Sequence, residues 1–348
     1  MGTVINAAIF AAASLGLATS AVAAPAAEPL YKLVASVPLG AGDRWDYVTY
    51  DAASNRVFVA HGDHVSVVDL SNNSVTGQIG PLPGGTHGIA LTPDDGTGYT
   101  DDGKAGMAAS FDPKSFAIRS KIPAAPDADG IVFDKPSGHV FVVNGDSGSI
   151  TVIDPKPNAA ITTIDVGAGL EAAASDGKGH LFVDGAEKGD LIKIDTKTNA
   201  VLAHFPMPGC KSPHGIAVDA ASDRIFATCV NKVMVVVNGA TGAIVATLPI
   251  GAFPDGAAFD AKRKWAVSPN GEGSLTIVKE KDADHYAVIG TVATAPTART
   301  VAINPQNGDL YLPAAEVSRI DPPSTPGGRP HVELVPGSLK LLIFAPTD

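Results

Sequence analysis

The chain has 348 residues, of which 45% are hydrophobic and only 18% charged, and its formal net charge is −11. Such an acidic surface opposes binding to nucleic acid or an anionic membrane, while it admits a cation or a basic partner. The low charged fraction implies a large interior, and 37 glycines with 27 prolines suit many short strands joined by tight turns.

Residues 1–23 read as an export signal. The stretch from Ala7 to Ala21 is dominated by Ala, Leu, Ile and Phe, and Ala21-Val22-Ala23 is a small-x-small cleavage site. The leading MGTVINAAIF carries no Lys or Arg, which departs from the usual basic start. Cleavage after Ala23 would release the chain to the periplasm or beyond. No later segment holds 18 uninterrupted apolar residues, so no membrane span is expected afterwards. Residues 24–30 read as a linker, and Tyr31–Val37 (YKLVASV) as a strand without a repeat of its own.

A pattern then recurs seven times: a polar residue, a short apolar run and, five positions on, usually Asp. The copies are DYVTYD from Asp46, HGIALT from His87, DGIVFD from Asp129, EAAASD from Glu171, HGIAVD from His214, DGAAFD from Asp255 and RTVAIN from Arg299. Their spacings are 41, 42, 42, 43, 41 and 44 residues. A period near 42 overrides the length prior for two domains and signals a propeller. Each of the first six units offers four strand-like runs, as in DYVTYD, RVFVAH, HVSVVD and SVTGQI. In the seventh unit, RTVAIN, DLYLPA and LKLLIFA fit three strands, an insertion of 316–338 carries the loop-forming DPPSTPGGRP, and no fourth strand follows. The spare N-terminal strand supplies it and closes the ring. The expected fold is all-β: one seven-bladed β-propeller of four-stranded blades over residues 31–348.

Third strands end at Asp69, Asp112, Asp154, Asp195 and Asn238, where the side chain can cap a turn two residues on. Phe58, Tyr99, Phe141, Phe182 and Phe226 recur in second strands and read as inter-blade core. Cys210 and Cys229 share one unit. A hairpin about residues 221–222 would set Cys229 opposite His214, so an exported chain with two cysteines favours a disulfide between them. Thiol chemistry, metal ligation and two buried free thiols are the alternatives.

Repeats of the form G-x-x-P-x-G-I-A-x-D, R-I-F-V, S-V-x-V-I-D resemble the YVTN or YncE-like group of exported bacterial seven-bladed propellers. The resemblance covers residues 31–348. The fourth unit, the insertion and Gly98-Tyr-Thr-Asp-Asp in a second strand depart from it. It implies a binding or surface protein, and similar propellers include metal-dependent lactonases, streptogramin-type lyases and subunits of periplasmic redox enzymes.

In a propeller, the starts of the innermost strands ring one mouth of the central channel. That ring is Asp46, His87, Asp129, Glu171, His214, Asp255 and Arg299, all ionisable, with Trp45 as an aromatic neighbour. Arg44, His61, Thr86, Asp101, Asp102, Asp127, Asn144, Glu187 and Asn270 are expected on the same face. Convergent carboxylates repel one another unless a cation or a proton intervenes. His87 and His214 with Glu171 form a plausible set for a divalent metal ion, and the same groups could act as acid and base. A ring paired within itself, Arg299 with Asp255 or Asp46, is the non-functional alternative. His139 and His180 fall in turns on the opposite face, and His64, His204, His285 and His331 fit no constellation. No haem-attachment, nucleophile-elbow, phosphate-loop or zincin motif occurs.

The first functional reading is therefore a monomeric binding or scaffold protein that holds a small molecule, a metal ion or a periplasmic protein partner at this mouth. A metal-dependent hydrolase or lyase is the alternative. A propeller subunit of a periplasmic redox enzyme comes third.

Overall fold

The chain folds as seven four-stranded antiparallel sheets arranged as the blades of a β-propeller. The structure, a computed structural model, describes residue 1 and residues 29–347 except 43, 94–95, 168 and 323–330. Residues 2–28, with the rest of the export signal and most of the linker, lie outside the described residues, whereas Leu30 packs against the core between blades 6 and 7. Blade 1 comprises Val48–Asp51, Arg56–His61, His64–Asp69 and Ser74–Ile79, and each later blade repeats this innermost-to-outermost order.

Blade 7 closes the ring as expected. Its strands are Ala302–Ile303, Leu310–Ala314, Lys340–Pro346 and Tyr31–Pro38, the last two pairing antiparallel from Tyr31 opposite Pro346 to Pro38 opposite Lys340. The insertion is more ordered than a loop. Val317–Asp321 pairs with His331–Leu334 as a separate two-stranded ribbon, whose second strand, HVEL, alternates polar and apolar residues. Leu334 anchors the ribbon by packing on the core between blades 7 and 1. Among the described residues the sole helical element is the 3₁₀ turn Gly103–Ala105, and no helix is long and apolar enough to cross a membrane.

Seven hydrophobic clusters occupy the seven interfaces between neighbouring blades. Second and third strands are sandwiched by both neighbours, so they read as continuous apolar runs instead of alternating. Phe58, Tyr99, Phe141, Phe182 and Phe226 are completely buried there. Outermost strands face solvent on one side, and Ala200–Pro206 alternates between exposed and partly buried residues. The third-strand acids cap their turns: Asp69 accepts the Ser71 N–H at 2.8 Å, Asp112 that of Lys114 at 2.9 Å, and Asn238 that of Ala240 at 3.0 Å.

Candidate functional site: the channel mouth

Five of the seven ring residues enter their blades from a tight turn. The residue two positions earlier is left-handed at Gly85, Asp127, Ser212, Phe253 and Thr297 (φ 97°, 60°, 45°, 60° and 76°), which turns the chain sharply into the innermost strand. The following position is packed backbone to backbone against the next blade. A Cβ on Gly215 would lie 2.3 Å from the carbonyl carbon of Gly256, so a side chain has no room there. Cross-blade hydrogen bonds lock the rim: Tyr47 N–H donates to His87 O (3.1 Å), Asp255 N–H to Arg299 O (3.1 Å) and Thr300 Oγ1 to Asp46 O (2.8 Å).

Three local arrangements divide the ring. Across blades 6, 7 and 1, Arg299 Nε donates to Asp255 Oδ2 at 2.5 Å and its Nη2 to Trp45 O at 3.1 Å. The guanidinium lies 5.3 Å over the Trp45 ring. Trp45 is accordingly buried beneath Arg299, at 5% exposure, rather than presented to solvent. On blade 2, His87 Nδ1 lies 2.7 Å from Asp101 Oδ2, while Asp101 Oδ1 accepts the N–H groups of His87 (2.7 Å) and Gly88 (2.9 Å). On blades 4 to 6, one donor atom each from Glu171, His214 and Asp255 come within 4.8 Å of one another. Within that group His214 Nε2 is 3.9 Å from Glu171 Oε1 and its Nδ1 is 2.9 Å from Ser212 O. The metal-capable group is thus Glu171, His214 and Asp255, with His87 engaged elsewhere by Asp101.

Electrostatics follow from the convergence. Burial first, then the charge of Asp255, pushes Asp46 up to about 7 against the pull of Arg299. Burial and the charges of Asp46 and Glu171 push Asp129 well above the usual carboxylate range. Burial favours a neutral His87, but the hydrogen bond and charge of Asp101, with Asp46 and Asp127, outweigh it and raise His87 to about 8.

Two contributors were hidden in the sequence. Tyr47 follows the ring residue of blade 1, where the other blades have Gly88, Gly130, Ala172, Gly215, Gly256 and Thr300. It packs on the core of blades 4 and 5 across the ring and lines a channel cavity of about 120 Å³ beneath the ring. Burial and the carboxylates of Glu171 and Asp129 raise its phenol strongly. The lone bulky residue at a Gly/Ala position was a readable signal. Asp184 is completely buried, neither oxygen has a hydrogen-bond partner, and burial with the charge of Glu171 raises its carboxyl well above the usual range. Nothing in its FVDG context announces this.

Other mouth-face polar residues serve the scaffold. Asp102 accepts the Gly84 N–H (2.5 Å) and the Lys121 ammonium (2.9 Å); Asn144 Nδ2 bonds Thr151 Oγ1 (3.1 Å), and Asn270 Nδ2 bonds Thr276 Oγ1 (3.0 Å). Glu187 accepts the Gly169 N–H at 3.1 Å, and His61 Nδ1 meets Ser66 Oγ at 2.8 Å. A second cavity, of about 220 Å³, opens at the rim between Arg44, Trp45, Asp46, Thr86, His87 and Lys104. Cys210 and Cys229 form the disulfide, with Cα atoms 5.4 Å apart. Cys229 pairs with Pro213 rather than His214, because a bulge at Pro213–Gly215 shifts the register by one residue.

Fold and site together define a seven-bladed β-propeller with an ionisable ring at one channel mouth. Solved structures similar to it share the fold at low identity. Hydrazine synthase of Kuenenia stuttgartiensis superposes with a TM-score of 0.68 at 16% identity, over 79% of this chain and 92% of that one. U3-55K gives 0.73 at 9% identity (90% and 98%), and the WD40 repeats of RRP9 give 0.74 at 8% (90% and 97%). No family model and no curated protein matches the chain.

Proposed function

We propose that this chain is an exported binding protein that holds a positively charged small ligand at its channel mouth. The carrying observation is the convergence of Asp46, Asp129, Glu171 and Asp255 above the Tyr47 floor, with Arg299 paired to Asp255. Carboxylates brought together in a partly buried site attract a cation to replace the solvent they have lost. The signal-like residues 1–23 and the YVTN-like repeats support export and a binding role.

Calorimetric and thermal-shift titrations with aliphatic diamines, divalent metals and size-matched dicarboxylates test this reading. Cations of at least one kind should raise the melting temperature, dicarboxylates should not, and Asp129→Asn should weaken the cation response. Equal responses to both charges, or to neither, would refute it.

A metal-dependent hydrolase or lyase is favoured by one observation. The His87–Asp101 pair presents an oriented imidazole beside the rim cavity, as a proton-transfer group requires. Loss of ester or lactone turnover in His87→Gln, with ligand binding intact, would support this second reading.

A further inference from the structure

We propose that Glu171, His214 and Asp255 hold one first-row divalent transition metal ion, with Asp184 behind them as its buried counter-charge. The proposal rests on the cation-binding reading of the mouth and names the ion and its ligands.

The donor set comes from the openings of three consecutive blades, so rigid sheets fix its angular placement. One imidazole and two carboxylates suit zinc, cobalt or nickel, whereas magnesium and calcium favour oxygen-only shells. His214 is oriented for the task. Its Nδ1 lies 2.9 Å from Ser212 O, so Nδ1 carries the proton and Nε2 turns its lone pair toward Glu171. An imidazole that ligates through one nitrogen typically donates from the other to a carbonyl. Asp255 is held in place by Arg299, whose Nε donates to its Oδ2 at 2.5 Å. Tetrahedral zinc with bonds of about 2.0–2.1 Å separates its ligand atoms by about 3.3 Å. The observed 3.9 Å between His214 and Glu171, and the 4.8 Å bound on the trio, ask for modest inward side-chain shifts.

Asp184 is an independent pointer to a cation. Ile89 pairs with Thr100 in blade 2 and Ala173 with Val183 in blade 4, so Asp101 and Asp184 occupy equivalent positions. Asp101 is satisfied there by His87 Nδ1 and two backbone N–H groups. Asp184 is as deeply buried and has no donor at all. Its foremost charged neighbour is Glu171, one of the three ligands.

The test uses the full chain after chelator treatment, titrated with Zn²⁺ by calorimetry and with Co²⁺ by visible absorption. One equivalent of Zn²⁺ should bind, and Co²⁺ should show the strong ligand-field bands of a four- or five-coordinate ion. His214→Ala should lose roughly 100-fold or more in affinity, and Asp184→Asn roughly 10-fold, as outer residues of metal sites do. His180→Ala, on the opposite face, should bind as the parent does. Circular dichroism of the metal-free variants should match the parent, separating lost ligands from lost fold. Absence of Zn²⁺ binding, or equal binding by His214→Ala, overturns the metal site. In that event a diamine that still binds and depends on Asp129 leaves the cation reading standing. If neither metal nor diamine binds, both readings fail.

Discussion

His87 and the buried Asp101 form a partly buried acid–imidazole pair 2.7 Å apart, placed by blade 2 alone. Their coupling gives the fold a pH dependence whose sign can be worked out. His87 is raised from 6.5 to about 8 and Asp46 from 3.8 to about 7, so both hold protons more tightly folded than unfolded. The stability each contributes is complete below its unfolded value and disappears as pH rises through its folded value. Thermal stability should therefore decline between about pH 4 and 8, through Asp46 first and His87 last. The His87 part amounts to about 2 kcal/mol, since one pKa unit is worth about 1.4 kcal/mol. Melting curves of Asp46→Asn should lose the lower part of this decline and those of His87→Gln the upper part. A rising melting temperature over the same range would contradict it.

Tyr47 should be the most costly ring-side residue to truncate. Tyr47→Ala removes a side chain that packs across the channel, and core aromatic truncations cost about 3 kcal/mol or more. Tyr47→Phe retains the ring and should cost much less. Urea denaturation of the two variants distinguishes a packing role from one carried by the hydroxyl.

Gly215→Ala and Gly130→Ala make a matched pair. A Cβ at Gly215 meets the Gly256 backbone at 2.3 Å, whereas at Gly130 the nearest atom is Glu171 O at 3.4 Å. The first should destabilise by roughly 1–3 kcal/mol, because two backbones cannot both give way. The second should lie near neutral. Denaturation midpoints of both variants measure the difference.

The Cys210–Cys229 bridge spans a sequence separation of 19 and joins the ring turn of blade 5 to its second strand. Cross-linking a loop of that size is worth about 3 kcal/mol. Cys210→Ala/Cys229→Ala should lower the denaturation midpoint accordingly and should no longer respond to reductant. Reduction of the parent protein should lower its midpoint to a similar extent.

The propeller was legible because its information is repeated. Seven copies at near-constant spacing define seven blades whatever any single strand prefers, and the unmatched Tyr31–Val37 strand predicted the closure. Asx caps at Asp69 or Asp112 are local hydrogen bonds, which a local pattern can reveal. The ring's membership was legible for the same reason, but its internal grouping was not. Whether His87 turns to Asp101 on its own blade, or His214 toward Glu171 on the preceding one, depends on side-chain packing that a linear pattern does not carry. Trp45 shows the same limit: its place beside the mouth followed from the repeat, its burial under Arg299 did not. Asp184 was missed because its isolation is a property of surroundings that contain no donor. The ribbon was not anticipated because the Pro/Gly run, most of which lies outside the described residues, was weighed above the two short strands that flank it.

Pairing Tyr31–Pro38 with Lys340–Pro346 also sets a timetable. Blades 1 to 6 are each built from consecutive strands and can form as the chain emerges, but blade 7 must wait for two segments some three hundred residues apart in the sequence. Until then the circle is an open arc whose terminal blades expose the apolar faces that later meet. Once the ends are joined, the site of opening becomes arbitrary. A circular permutant cut between blades 3 and 4, with residues 29 and 347 linked, should rebuild the same ring from a different starting point.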